Sequence, residues 1–281
     1  WNNNLPFFQN SVHGKVKIPH NLEDSFRNMA GLDDVRLKSL IDALLDDETD
    51  LLWCIRGGFG ATRVLPILPT DLKFNTEKLL IGYSDITAYQ LALYKLYDMQ
   101  SISGAMIGVD FPLQNFVASK WLQSLIENER SEFELPNDVK WHNGSACEGI
   151  ILGGCLSVIE KLIGTPWLPD FKGKILFFED VNEEPYRIDG MLSHLLNVGC
   201  FDDISGLIFG QFTQSNEDNN LQLSEILTEY AEKINVPTLI NFPIGHFSGF
   251  YPLPIGYYCQ IKQNQIIFNR TQKEANGHLR S

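Results

Sequence analysis

No stretch of this 281-residue chain reaches the roughly 18 consecutive apolar residues that a helix needs to cross a bilayer, which argues against an integral membrane protein. Basic residues are scarce: 22 Lys and Arg stand against 35 Asp and Glu, the formal charge is -13, and no dense Lys/Arg stripe offsets it locally. Such a chain repels phosphate backbones and anionic lipid at long range, so neither nucleic acid nor a membrane surface is an expected partner. Metal-ligating patterns are missing too. The five cysteines, at 54, 147, 155, 200 and 259, are odd in number and widely spaced, with no CxxC pair and no Cys/His cluster at zinc spacing. They read as reduced thiols, Cys54 in LLWCI and Cys259 in YYCQI as small buried hydrophobes, and they point to the cytoplasm. The opening WNNNLPFFQN has neither the basic nor the apolar region of a signal peptide, so none is expected. Internal repeats and low-complexity tracts are absent as well.

What remains is a globular composition, 44% hydrophobic and 20% charged, in a chain long enough for about two domains. VRLKSLIDALL has apolar residues at helical spacing and is closed by DDETD. LLWCI then reads as a strand buried on both faces, running straight into RGGFGAT. A helix over ATRVLPIL, a strand over KLLIGYS ending at Ser84, and a helix over DITAYQLALYKLYD continue the alternation, which predicts an α/β layer with a parallel sheet. The polar segment from Glu127 to Ser145 breaks that pattern and marks the expected domain boundary. Beyond it, EGIILGGCLSVIEKLIG, GKILFFEDV, ISGLIFGQF and YYCQIKQNQIIFN read as strands with one or two helices, including YRIDGMLSHLLNVG, and the last run suggests a hairpin.

Four places carry candidate chemistry. Ser84 stands where a buried strand gives way to a helix, in the order Gly82-Tyr83-Ser84-Asp85, half of a nucleophile elbow; Ile86 occupies the place of the second glycine. On local sequence alone, Ser84 or Asp85 as an ordinary N-cap for the helix that follows is the favoured reading. Gly57, Gly58 and Gly60 in RGGFGAT match neither a dinucleotide fingerprint nor a P-loop, leaving a tight turn or an oxyanion hole of backbone N–H groups. Glu179 and Asp180 end the apolar strand KILFF, and of the two only Glu179 follows a run rigid enough to orient an imidazole; capping or metal-binding carboxylates are the alternative. His246 sits in PIGHFSG between prolines and glycines, either as a fixed catalytic histidine or as a plain loop residue. Ser84, Glu179 and His246 together compose a candidate triad in which the histidine takes the hydroxyl proton and the carboxylate fixes its tautomer.

The strings IRGGFGATRVLPIL, IGYSDITAYQLAL, FFEDVNEEPYRID and FPIGHFSGFYPLPIG resemble, in order and spacing, the four signature blocks of the serine peptidase family that contains LD-carboxypeptidase (muramoyltetrapeptide carboxypeptidase) and the microcin C self-immunity peptidase. The resemblance covers about residues 28 to 262. It implies a Rossmann-like α/β domain with a parallel sheet over residues 1–130, carrying the nucleophile, and a β-rich domain over 146–281, carrying the other two triad members. The family's nucleophile falls on Ser84, its carboxylate on Glu179 and its histidine on His246; its oxyanion hole maps to the backbone N–H groups of Gly58 and Asp85. No metal and no organic cofactor are implied, and family members are often homodimers.

Three departures accompany the resemblance. The family's opening apolar strand and Pro-Ser turn have no clear equivalent in WNNNLPFFQNSVHGKVKIP, the common Gly-Gly-Asn block reads Gly153-Gly154-Cys155, and the Arg usual after YRID is Gly190. The leading expectation is a cytoplasmic serine carboxypeptidase that hydrolyses the L,D bond to the terminal D-amino acid of cell-wall tetrapeptides, a small muropeptide substrate, in peptidoglycan recycling. The runner-up is a peptidase cutting aminoacyl-nucleotide antibiotics, for which Ser103 to Phe116 and Trp167 are the only stretches that could supply a base-stacking ring. A binding module that has lost catalysis is the third expectation, opposed by the presence of all three triad side chains.

Overall fold

The computed structural model describes residues 2–11, 14–113, 115–213 and 218–270. Helix α1 (Leu5–Ser11) places the buried ring of Phe8 edge-on against Trp53 and Phe111. Helix α2 (Asp33–Leu45) starts with Asp33 and Asp34, where the helix dipole favours acids. Strand β1 (Leu51–Trp53), helix α3 (Ala61–Val64), strand β2 (Leu79–Gly82), helix α4 (Thr87–Tyr97) and strand β3 (Ser101–Ser103) follow, with β1, β2 and β3 paired in parallel. All residues of β2 and β3 are buried, as strands covered on both faces must be. Helices α5 (Ile107–Asp110) and α6 (Phe116–Glu127) close this half.

The second half contains strands β4 (Arg130–Glu134), β5 (Lys140–Asn143) and β6 (Ala146–Cys155), helix α7 (Leu156–Glu160), strand β7 (Lys174–Val181), helix α8 (Pro185–Asn197), strand β8 (Gly206–Thr213), helix α9 (Asp218–Ile234) and strand β9 (Thr238–Ile240). Strand β10 (Leu253–Ile255) and the hairpin β11 (Tyr258–Lys262) and β12 (Gln265–Asn269) end it. The larger sheet has the order β4-β12-β11-β6-β7-β8-β9-β5. Strand β10 leaves it and pairs antiparallel with β3, so the first sheet reads β1-β2-β3-β10.

The α/β fold class with a β-rich C-terminal sheet agrees with the sequence reading, and three details differ from it. The centre of the larger sheet, β6-β7-β8-β9, is parallel, because helices α7, α8 and α9 lie in the crossovers between successive strands. The segment from Glu127 to Ser145, read as a boundary, contains β4 and β5 at the two edges of the larger sheet; its polar residues reflect edge strands exposed to water. No strand precedes β1 among the described residues, so β1 forms the outer edge of the first sheet where the family pattern has an opening strand.

Candidate active site

One residue, Tyr83, separates Ser84 from the end of β2, and Ser84 opens a single turn of 3-10 helix that continues into α4. Its φ of 66° lies in the left-handed region, which costs a non-glycine residue roughly 1–2 kcal/mol and turns the side chain sharply out of the sheet. Gly57, from the turn after β1, lies against it: a Cβ there would stand 2.8 Å from Ser84 Cβ. Any side chain at 57 would displace the serine. Gly58 and Gly60 take φ values of 119° and 107°, conformations that require glycine, so the turn's composition is a backbone requirement.

Glu179 lies near the end of β7, at an irregularity in the β7–β8 register between Phe178 and Asp180, a bulge of the kind that re-aims side chains beside functional sites. It is fully buried, and its Oε2 lies 2.7 Å from His246 Nδ1. Asp180, on the opposite side of the strand, accepts the Ser157 N–H at 2.7 Å and ties down the start of α7. His246 belongs to the connection from β9 in the larger sheet to β10 in the smaller one, so the topology holds it where the two sheets meet. That loop is fixed by Gln211 N–H donating to Ile244 C=O at 2.8 Å and Tyr251 N–H donating to Pro243 C=O at 2.6 Å. The Tyr83 ring, one residue before Ser84, packs edge-on against the His246 ring at 5.0 Å and against Phe250 at 4.9 Å.

A second contact locks the two sheets together beside the serine. Thr87 Oγ1, on the first turn of α4, accepts the Cys155 N–H at 3.2 Å, and a Cβ on Gly154 would come within 2.5 Å of the same oxygen. Cys155 pairs in register with Glu179. The structure therefore brings Glu179 and His246 into direct contact and sets Ser84 against Gly57 in the turns that follow β2 and β1, with Tyr83, the neighbour of Ser84, against the His246 ring. Gly190 lies away from this contact, exposed on α8 with no atom within 4 Å of a Cβ built on it. Glu183 is ion-paired to Arg187, and Glu184 is exposed at the N-cap of α8.

Burial is the largest influence on the Glu179 carboxyl and pushes it up, against the His246 hydrogen bond that favours its charged form. Burial alone would pull the His246 imidazole down. The Glu179 hydrogen bond and charge, reinforced by Asp180 and Asp110, outweigh it and lift the imidazole above its ordinary value. His246 Nε2 is buried and has no hydrogen-bond partner among the described residues, leaving that nitrogen available for a substrate or hydroxyl proton. No group of three or more His, Cys, Asp or Glu able to hold a metal ion is found among the described residues.

Sequence reasoning missed Tyr83, Thr87 and Asp110. Asp110 lies 3.4 Å from the Tyr83 hydroxyl and accepts the Met106 N–H at 2.7 Å. Only Tyr83 carried a local signal, its place beside Ser84. Of the stretches that could have supplied a stacking ring, Phe111 is buried and Trp167 packs on the core. Gln114 and the Phe116 side chain lie outside the described residues.

A parallel layer bearing a strained serine, joined to a second sheet bearing a buried carboxylate–imidazole pair, is the architecture of a serine carboxypeptidase. Residues 5–104 match the LD-carboxypeptidase N-terminal domain and residues 148–261 the LD-carboxypeptidase C-terminal domain of the peptidase S66 family. The chain belongs to that family. It is 32% identical to the "Probable murein peptide carboxypeptidase" of Bacillus subtilis over 86% of this chain and 78% of that one. The crystal structure of muramoyltetrapeptide carboxypeptidase from Oxalobacter formigenes superposes with a TM-score of 0.76 at 26% identity, covering 89% of this chain and 87% of that one. The microcin C7 self-immunity protein MccF of Escherichia coli is 26% identical over 71% of this chain and 67% of its own. No helix among the described residues is long and apolar enough to cross a membrane.

Proposed function

We infer that the protein removes the terminal D-amino acid from cell-wall-derived tetrapeptides by serine catalysis, as a cytoplasmic step of peptidoglycan recycling. The observation that carries this reading is the 2.7 Å contact between Glu179 and His246, with His246 Nε2 unpartnered among the described residues, at the sheet junction that also bears the Ser84 elbow. In this reading Ser84 Oγ attacks the carbonyl carbon of the L,D peptide bond while His246 Nε2 takes its proton. The N–H groups of Gly58 and Asp85 receive the charge that develops on the carbonyl oxygen. His246 then protonates the leaving amine, and water, deprotonated by the same nitrogen, hydrolyses the Ser84 ester. Glu179 holds the Nδ1–H tautomer throughout. This chemistry requires neither a metal nor an organic cofactor.

The same proposal keeps the nucleophile in an N-terminal part and Glu179 and His246 in a C-terminal part, whose strand β10 completes the first sheet. The muropeptide reading is favoured over an aminoacyl-nucleotide substrate by the burial of Phe111, which leaves that ring no face to stack on a base, and by Trp167 packing against the core, partly buried. Mass spectrometry of purified muropeptides incubated with the protein tests the proposal. Loss of one terminal D-residue from the tetrapeptide supports it. An unchanged tetrapeptide, with cleavage of an aminoacyl-nucleotide instead, overturns it in favour of the antibiotic-cleaving activity, and no cleavage of either leaves a binding module.

A further inference from the structure

An oxyanion hole made of a glycine turn has a physical difficulty. Glycine is the most conformationally free residue, yet a donor N–H stabilises a transition state only when it is already held in place. The turn after β1 is anchored at one end by Gly57 packing on Ser84. What holds the other end is a set of side chains from three separate elements.

Helix α3 begins after Gly60, which has no side chain to cap it. The missing cap comes from Asp85, whose Oδ2 accepts the Ala61 N–H at 2.8 Å. On the other face of the same peptide, Arg36 Nη2 donates to the Gly60 C=O at 3.0 Å. Arg36 is held by Asp33 at 2.6 Å, and Asp33 is held in turn by Arg63 of α3 at 2.6 Å. Two carboxylates and two guanidiniums thus balance within the cluster. Burial raises the Asp85 carboxyl, while the Ala61 N–H and the Arg36 charge work in the opposite direction.

Because Asp85 directly follows Ser84, its side chain ties the glycine turn to the residue beside the nucleophile. We propose that the Asp85 carboxylate, backed by Arg36, is the positioning residue of the oxyanion hole: it sets the distance between the Gly58 N–H and Ser84 and acts on the transition state without touching substrate. This rests on the reading of Ser84 as nucleophile and of Gly58 and Asp85 N–H groups as the hole. It goes beyond that reading by giving the Asp85 side chain a task separate from its backbone.

The test compares the parent protein with Asp85→Ala and Asp85→Asn, using tetrapeptide kinetics and the rate of Ser84 labelling by a fluorophosphonate. Removing one oxyanion donor costs about 10²–10³ in kcat, and a loosened turn should cost Asp85→Ala about 10². KM should stay within about threefold, because the donors act mainly in the transition state. The pH midpoint of kcat/KM should stay put, since the His246–Glu179 pair is untouched. Asp85→Asn keeps one acceptor oxygen for the Ala61 N–H and should recover most of the loss; it also stands in if the alanine variant folds poorly. Labelling of Ser84 in Asp85→Ala at the parent rate overturns the proposal and leaves the nucleophile intact. A loss that raises KM equally or moves the pH midpoint also overturns it, as a general structural effect. Failure of the parent protein to label at Ser84 refutes the nucleophile reading instead, and this proposal with it.

Discussion

His246 Nδ1 and Glu179 Oε2 are 2.7 Å apart, joining a loop that runs between the two sheets to a strand buried in the larger one. A fully buried carboxylate is costly unless a partner compensates it, and here the imidazole is that partner. The pairing occupies Nδ1 and leaves Nε2 as the ring nitrogen open to another partner.

The first prediction concerns that carboxylate. Glu179→Gln loses the charge that holds the Nδ1–H tautomer and lifts the imidazole. We expect kcat to fall by about 10²–10⁴ and the acid limb of kcat/KM to move to lower pH. Glu184→Gln, at the exposed N-cap of α8, should change kcat by less than about threefold. The opposite ranking in steady-state kinetics would assign the orienting carboxylate to Glu184.

The second prediction separates strain from chemistry at Ser84. Its φ of 66° penalises any side chain with a Cβ, so Ser84→Ala should lose activity by about 10⁴–10⁶ with stability unchanged. Ser84→Gly should be equally inactive but gain up to about 1 kcal/mol, because glycine adopts this conformation without penalty. Urea denaturation of the two variants checks this; a glycine variant less stable than the alanine one would remove the argument for strain.

Much of this site was legible in the sequence because its parts are local. The strand-to-helix turn around Ser84, the apolar strand before Glu179 and the Pro/Gly frame of His246 are each visible within about ten residues. What joins them was not legible. The return of β10 to the first sheet pairs Leu253 with Ser103, and the contact of Thr87 with Gly154 and Cys155 spans 68 residues in sequence; no periodicity encodes either. Strands β4 and β5 were missed because edge strands carry too few apolar residues to be told from a polar loop. Helix α9 is legible only in part: Leu223, Ile226, Tyr230 and Ala231 are buried and recur at helical spacing, a pattern not singled out from sequence alone.

The third prediction uses Gly190, the departure from the family's usual arginine. A Cβ there would meet nothing within 4 Å, and the residue lies inside α8. Gly190→Ala should therefore stabilise the protein by about 0.5–1 kcal/mol, read from the thermal or urea midpoint, and leave kcat/KM within about twofold. A substantial loss of activity would show that this face of α8 reaches the substrate.

The last prediction links activity and stability through one group. His246 must be neutral to accept the Ser84 proton, so kcat/KM should rise with pH through the folded-state pKa of the imidazole. The net influence of Glu179, Asp180 and Asp110 over burial places that value above the ordinary 6.5, so the acid limb should be centred above pH 6.5. Stability runs the other way. A histidine whose pKa is raised on folding contributes stability that is fully present below its unfolded value of 6.5 and is lost as the pH rises through the folded value. The contribution therefore fades in the same window in which activity appears, because the proton that strengthens the ion pair is the one catalysis must remove. Parallel measurement of kcat/KM and of the urea midpoint across pH 5 to 9 would expose the pairing, a range chosen to bracket the usual histidine values. In His246→Ala both the acid limb and this pH-dependent part of the stability should vanish. An acid limb that survives in that variant would mean that another group accepts the Ser84 proton.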